Sequence, residues 1–288
     1  MVLWHVIILA IVQGLAELLP VSSSAHVIVA EKLMGMDPSA PETTLLLVML
    51  HTGTMFSVIA YFWSRWSKAF FQSAEDFKAF FVATLLATVL TGVVGGGLTK
   101  GVEKLAFRDK SSAWVEDLFG RLDLIAIALA AAGVLILIAG IKERQTNGKR
   151  SGAVRGDLSK AAWIGAVQGL CLPFRGFSRS GATISTGMLV GVPKVRAEDF
   201  SFALAVVLTP VAIAREVLRM VKVQHVHSMA TLMPALTPGL IGMALAFVAG
   251  LLALKWLSGW LEAGRWYWFG IYCLVAAAVV GFLYHAGY

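Results

Sequence analysis

Glu17, Ser22, Ser23, Ser24 and His26 stand together around Pro20 in an otherwise apolar stretch of the chain. A carboxylate, a hydroxyl and an imidazole at that spacing supply a nucleophile and a general acid or base. Gln13 precedes Glu17 by four residues, so the two share a helical face. Ionisable groups inside membrane segments cost about 2.5–3.5 kcal/mol at the bilayer centre and are functional by default. Serines at a helix start also serve as N-caps. Capping accounts for one or two of these hydroxyls and leaves Glu17 and His26 unexplained.

A second cluster follows far along the chain, in Gly176-Phe177-Ser178-Arg179-Ser180-Gly181-Ala182-Thr183. It combines a fixed positive charge, hydroxyls, glycines and the free N–H groups of a helix start. That combination binds phosphate, because a guanidinium offers a fork of donors and a helix N-terminus adds N–H groups and a positive dipole end. The competing reading, an Arg179 that snorkels to headgroups, fits poorly with its place between small residues in a turn.

Other polar residues carry weaker signals. His51 lies inside an apolar segment and reads equally well as a cavity residue or as a hydrogen-bonded core histidine. Arg215 and Glu216 are adjacent and so do not face each other on a helix; they read as interfacial. Cys171 and Cys273 read as small buried hydrophobes, with no spacing that suggests a disulfide framework or zinc. Trp63, Trp66, Trp256, Trp260, Trp266 and Trp268 fall near segment ends, as an aromatic belt requires.

The elements that must position these residues are membrane helices. Of 288 residues, 58% are apolar and 14% charged, with a mean hydropathy of +0.78, which marks an integral membrane protein with no room for a separate soluble catalytic domain. The net charge of +7 belongs to loops that orient the chain and touch anionic lipid. No basic and aromatic interleaving suggests nucleic acid. Full crossings are expected at about 43–64, 77–98, 121–142, 201–221, 231–256 and 265–285. Residues 2–19 stop at Pro20 and resume at 25–35; residues 161–172 stop at Pro173 and resume to about 192. These read as broken or re-entrant helices, tolerated at membrane depth only where they face protein or a water-filled cavity. The first stretch lacks the cleavage site of a removable signal peptide.

Val12-Gln13-Gly14-Leu15 recurs as Val167-Gln168-Gly169-Leu170. Each copy leads into a break followed by three crossings, so the chain reads as one all-α membrane domain of two repeats, about 1–142 and 161–288, joined by a basic linker, about 143–160. Three crossings per repeat invert the second, bringing the breaks in from opposite faces to meet near the middle. The positive-inside rule puts the linker, with Lys149, Arg150 and Arg155, in the cytoplasm and both termini outside; the loop 99–121, with Lys100, Lys104, Arg108, Lys110 and Arg121, argues against that orientation.

Gln13 through His26, taken with Gly176 through Thr183, resembles the undecaprenyl pyrophosphate phosphatase family, the membrane enzymes linked to bacitracin resistance. The resemblance implies a multi-pass bacterial plasma-membrane enzyme. Its activity would be to remove the terminal phosphate from the polyprenyl diphosphate carrier, returning the monophosphate to cell-wall synthesis. It also implies a divalent cation, Mg2+ or Ca2+, held in part by Glu17, and a site facing the periplasm. By the family motifs, Glu17, Ser23, His26 and Arg179 are expected to be catalytic. Gln13, Ser22, Ser178, Ser180 and Thr183 are expected to bind substrate. Three positions depart from the pattern: Gln13 replaces the commoner Glu, Ala25 a frequent Gly, and Arg175 the usual Pro, the last adding a second positive charge.

The expected mechanism is phosphoryl transfer to Ser23, or to water held there, with His26 handling the proton and Arg179 with the cation offsetting phosphoryl charge. The lipid tail stays in the bilayer. A transporter or flippase for a phosphorylated lipid or anion shares the broken-helix plan but has no need of the Ser-Ser-Ser-Ala-His cluster. Membrane lipids are the expected surroundings, and the sequence leaves a homodimer open.

Overall fold

The computed structural model describes residues 2–106, 118–145, 157–224, 229–262 and 265–288. Among these the chain is helical throughout: α1 (Leu3–Ala16), α2 (Ser23–Leu33), α3 (Pro41–Phe70), α4 (Ala74–Ala106), α5 (Leu122–Gln145), α6 (Leu158–Leu170), α7 (Arg179–Leu189), α8 (Lys194–Gln224), α9 (Met229–Glu262) and α10 (Trp266–His285). Six of them, α3, α4, α5, α8, α9 and α10, are long and apolar enough to cross a membrane. They are the six crossings expected from hydropathy. The two broken pairs, α1–α2 and α6–α7, fall where Pro20 and Pro173 predict.

Local chemistry sets the ends. Pro41 opens α3, where its missing N–H costs nothing. Glu75 and Asp76 begin α4, while Lys142 and Arg144 end α5, each sign on the helix end that favours it. Asp157 caps α6 by accepting from the Ser159 N–H at 3.2 Å. The outward faces are apolar: Val93, Ile127, Val211, Leu252 and Phe282 are all exposed, as side chains that meet lipid tails rather than water should be.

The broken helices are held by the opposite half of the chain. α1 packs on α9, and α6 packs on α4. The recurring Gln-Gly explains how. A Cβ on Gly14 would stand 2.5 Å from Ala249 Cβ and 2.9 Å from Gly250 N; one on Gly169 would stand 2.8 Å from Val94 Cβ and 2.9 Å from Gly95 N. The glycine in each copy therefore lets its helix lie against the backbone of a crossing helix. Thr91 ties the second contact, donating to Gly165 O at 2.9 Å and accepting from Gln168 Nε2 at 3.2 Å.

Several sequence expectations are corrected. Trp66 and Trp266 are core residues, 5% and 1% exposed. Trp66 stacks near Phe62, and Trp266 Nε1 donates to Ser185 Oγ at 2.9 Å. Among the described tryptophans at segment ends, Trp63 and Trp268 are exposed as a belt requires. Cys171 is half-buried rather than buried, and both cysteines are free thiols. Arg108, Lys110, Lys149, Arg150 and Arg155 lie outside the described residues, as do the side chains of Glu216, Trp256 and Trp260.

Candidate active site

The two breaks meet. α1 ends at Ala16, with Glu17 as its C-cap, and Pro20 cannot continue the helix. Residues 17–22 form a turn that re-enters as α2. The matching turn, 171–178, leads into α7. The only non-glycine residues with positive φ among the described ones are Ser22, at 66°, and Ser178, at 21°, each the N-cap of the helix that leaves its break. Ser178 Oγ accepts from the Gly181 N–H and from the Ser22 N–H, both at 3.2 Å. Gly181 lies under the first turn, where a Cβ would stand 2.9 Å from Pro20 O. Cys273, on α10, donates its thiol to the same carbonyl at 3.6 Å.

Glu17, 9% exposed, is the hub. Ser23 Oγ donates to its Oε2 at 2.5 Å and Gln13 Nε2 to the same oxygen at 2.7 Å. Arg179 Nη2 donates to Oε1 at 2.5 Å. His51 Nε2, from α3, lies 3.4 Å from Oε2, while its Nδ1 contacts Leu47 O at 2.7 Å. A carbonyl accepts only, so that contact puts a proton on Nδ1 and leaves Nε2 facing the carboxylate. His51 is thus both hydrogen-bonded in the core and part of the cluster, which the sequence left undecided.

His26 is turned elsewhere. Its Nδ1 contacts Ser22 O at 2.8 Å, and its Nε2 meets Tyr272 OH at 2.7 Å, with the two rings stacked at 5.7 Å. Ser23 has Glu17, not His26, as its hydrogen-bond partner. Tyr272 comes from α10, far along the chain, and nothing in its local sequence marks it. Thr183 Oγ1 bonds back to Arg179 O at 2.7 Å and across to Ser201 Oγ at 2.6 Å, which ties α7 to α8. Ser180 Oγ makes a long contact, 3.5 Å, to Leu19 O and so links the breaks once more. The cluster therefore gathers Gln13, Glu17, Ser22, Ser23, Ser178 and Arg179, with Ser180 and Thr183 bracing the turn that carries Arg179.

Two buried polar atoms in this cluster have no hydrogen-bond partner among the described residues: Arg179 Nη1 and Gln13 Oε1. A buried donor and a buried acceptor left unpaired are each costly, and both stand beside Glu17. The donor set suits an anion that takes up the guanidinium. The free amide oxygen and the carboxylate suit a hard cation whose remaining ligands are oxygens of the substrate.

Known proteins give the context. The family model for bacitracin resistance protein BacA matches residues 6–279. The chain is 57% identical over 281 residues to undecaprenyl-diphosphatase 2 of Acinetobacter baylyi, covering 96% of both chains. It is 32% identical over 287 residues to undecaprenyl-diphosphatase 2 of Burkholderia orbicola, covering 96% of this chain and 95% of that one. It is 31% identical over 299 residues to undecaprenyl-diphosphatase 1 of Burkholderia pseudomallei, covering 99% of both. The matches run through both breaks and all six apolar crossings, and the chain belongs to the BacA bacitracin resistance family.

Proposed function

We propose that this multi-pass membrane protein hydrolyses undecaprenyl diphosphate to undecaprenyl phosphate and inorganic phosphate, recycling the lipid carrier for cell-wall synthesis and so conferring bacitracin resistance. It is the activity for which its relatives are named. The observation that carries the reading is the shared carboxylate: Glu17 accepts the Ser23 hydroxyl on one oxygen and the Arg179 guanidinium on the other.

Chemistry follows from that arrangement. Ser23 Oγ attacks the terminal phosphorus as its proton passes to Glu17 Oε2, and the bond to the bridging oxygen breaks, releasing the prenyl monophosphate. Water then hydrolyses the phosphoserine, and inorganic phosphate leaves. Arg179, with Nη1 still available, binds the phosphoryl oxygens where charge gathers. The N-termini of α2 and α7 converge there and add two positive dipole ends. His26, held between Ser22 O and Tyr272, fixes the left-handed turn that presents Ser23. Gln13 Oε1 and Glu17 would hold Mg2+ or Ca2+, which offsets phosphate charge when bound.

The prenyl tail needs no soluble domain. An apolar groove of about 270 Å3, lined by Leu124, Ile127, Leu170, Phe174 and Phe177, runs beside the second break, and Ile127 is lipid-exposed. A tail lying there keeps to hydrocarbon while the diphosphate reaches the polar turns. The exchange of packing partners, α1 on α9 and α6 on α4, supports a plan of two inverted repeats, and it is the family resemblance that puts the site toward the periplasm.

The test is phosphate release from a long-chain polyprenyl diphosphate by detergent-purified protein, with and without EDTA, alongside Glu17→Ala, Ser23→Ala and Arg179→Ala. Cation-dependent release that disappears in the variants is expected. A folded wild-type protein that releases nothing overturns the reading and leaves the same residues as the binding site of a transporter.

A further inference from the structure

His51 takes no part in the proton and phosphoryl transfers above, yet its ring is set as a metal-binding imidazole is set. Its Nδ1 lies 2.7 Å from Leu47 O, an atom that only accepts, so Nδ1 carries the proton and Nε2 keeps its lone pair. A histidine that ligates a metal almost always commits its other ring N–H in this way, to a backbone carbonyl, a carboxylate or water. The Nε2 lone pair then faces Glu17 Oε2 at 3.4 Å. That is too long for the charge-assisted hydrogen bond of an imidazolium on a carboxylate, which closes to about 2.7–2.9 Å. It is the spacing of two atoms sharing one ion: ligands at about 2.1 Å each, with about 90–110° between them, lie about 3.0–3.4 Å apart.

The rest of the shell is at hand. Arg179 pairs with Oε1, which leaves Oε2 to the Gln13 amide, the Ser23 hydroxyl and His51. Gln13 is 0% exposed, and its Oε1 has no hydrogen-bond partner among the described residues; a cation satisfies such an oxygen as well as an N–H does. No three His, Cys, Asp or Glu side chains gather to hold a metal among the described residues, so the amide takes the third place. Gln13 lies in α1, Glu17 is its C-cap, and His51 comes from α3. Together they bring one negative charge, so a bound divalent ion stays positive and keeps positions open for phosphate oxygens. We infer that His51 Nε2 is a third protein ligand of the divalent cation, beside Glu17 and Gln13, and that this nitrogen turns the site from Ca2+ toward borderline ions such as Mn2+ and Co2+. Imidazole favours the transition ions, whereas an all-oxygen set suits Ca2+ and Mg2+. The inference rests on the phosphatase reading and adds to it a ligand and a metal preference.

Its test uses the full-length, untagged protein in detergent, freed of metal with EDTA and titrated with Mn2+ alone, so that no turnover is needed. Electron spin-echo modulation of the bound Mn2+ reads the nuclei that ligate it. A nitrogen modulation that changes on labelling with 15N-histidine, persists in His26→Gln and disappears in His51→Gln is expected. Competition should show Mn2+ and Co2+ binding weakened by about tenfold or more in His51→Gln, and Ca2+ binding by less than about threefold. If His51→Gln does not fold, the labelled wild-type and His26→Gln proteins still decide, because they need no change at His51. Bound Mn2+ without a histidine nitrogen overturns the inference. So does a histidine signal that survives in folded His51→Gln, or wild-type protein that binds no Mn2+ at millimolar concentration. Cation-dependent phosphate release without His51 coordination leaves the phosphatase reading standing. His51 coordination in a protein that releases no phosphate overturns that reading and keeps the ligand, so the two failures are distinct.

Discussion

The Ser22 N–H donates to Ser178 Oγ at 3.2 Å across 156 residues of sequence. Both residues hold positive φ, a conformation that costs a non-glycine residue about 1–3 kcal/mol and persists only where the surroundings enforce it. Each strained turn is thus held by the other: the α7 cap is also the acceptor for the turn that presents Ser23. Halves of the chain that carry different parts of the chemistry, the hydroxyl with its carboxylate on one side and the guanidinium on the other, are registered by this side chain together with the Arg179–Glu17 pair and the Ser180–Leu19 contact.

Ser178→Ala removes both acceptor roles. Loss of an N-cap alone costs about 1 kcal/mol, and the Ser22 turn loses its partner as well. A lower thermal midpoint in detergent and a lower kcat are expected together. Ser22→Gly, which adopts positive φ without strain, should keep the fold and most turnover. A Ser178→Ala protein with normal turnover would show that the turns hold without each other.

Ser23→Ala should abolish turnover by several orders of magnitude while leaving the protein folded, since its side chain bonds only Glu17 among the described residues. Glu17→Gln should lose nearly as much, because it removes the proton acceptor and the negative charge that pairs with Arg179. Near-normal turnover in Ser23→Ala would assign the attack to water. Phosphoserine trapped from a denaturant quench of wild-type turnover is the positive counterpart.

Arg179→Lys keeps a charge and loses the fork. Nη2 is committed to Glu17, and Nη1 is the free donor; an ammonium on a flexible stem cannot hold both directions at once. Turnover should fall by roughly 10²–10³-fold, the range for removing one preorganised donor from a transition state. Single-turnover kinetics in detergent check it, and a loss under threefold would speak against two-pronged recognition.

Much of this architecture is legible in the sequence, for identifiable reasons. Apolar runs of the length a bilayer needs reveal the six crossings, and Pro20 and Pro173 reveal the breaks. Glu17 and Arg179 stand out because charge at that depth is expensive. The partner of Ser23 is not legible. Glu17 and His26 are both near it in sequence, and the choice depends on the positive φ of Ser22, which swings the hydroxyl toward one and the imidazole toward Tyr272. Tyr272 and His51 arrive from distant helices that read as ordinary apolar crossings. Trp66 and Trp266 mislead because a tryptophan near a helix end looks the same whether it faces headgroups or the core.

Gly14 and Gly169 should tolerate no side chain. A Cβ at Gly14 meets Ala249 Cβ at 2.5 Å and backbone beyond it, and backbone cannot step aside. Gly14→Val and Gly169→Val should each destabilise by about 1–3 kcal/mol or more, as overpacking does. Gly92 and Gly96, with open space where a Cβ would go, serve as controls whose Ala variants should unfold at or above the wild-type temperature. Thermal unfolding in one detergent, followed by tryptophan fluorescence, separates the two pairs.

Tyr272→Phe isolates what His26 does. The change removes one hydroxyl from a stacked pair, and only the His26 Nε2 contact is lost. A neutral hydrogen bond of this kind contributes about 0.5–1.5 kcal/mol. If His26 only braces the turn at Ser22 O, Tyr272→Phe should lower kcat by no more than about tenfold, because 1.4 kcal/mol corresponds to that factor. His26→Gln, with an amide that still donates to Ser22 O, should then recover part of the turnover lost in His26→Ala. If His26 instead carries a proton in the reaction, Gln cannot replace it. Both His26 variants would then be equally dead.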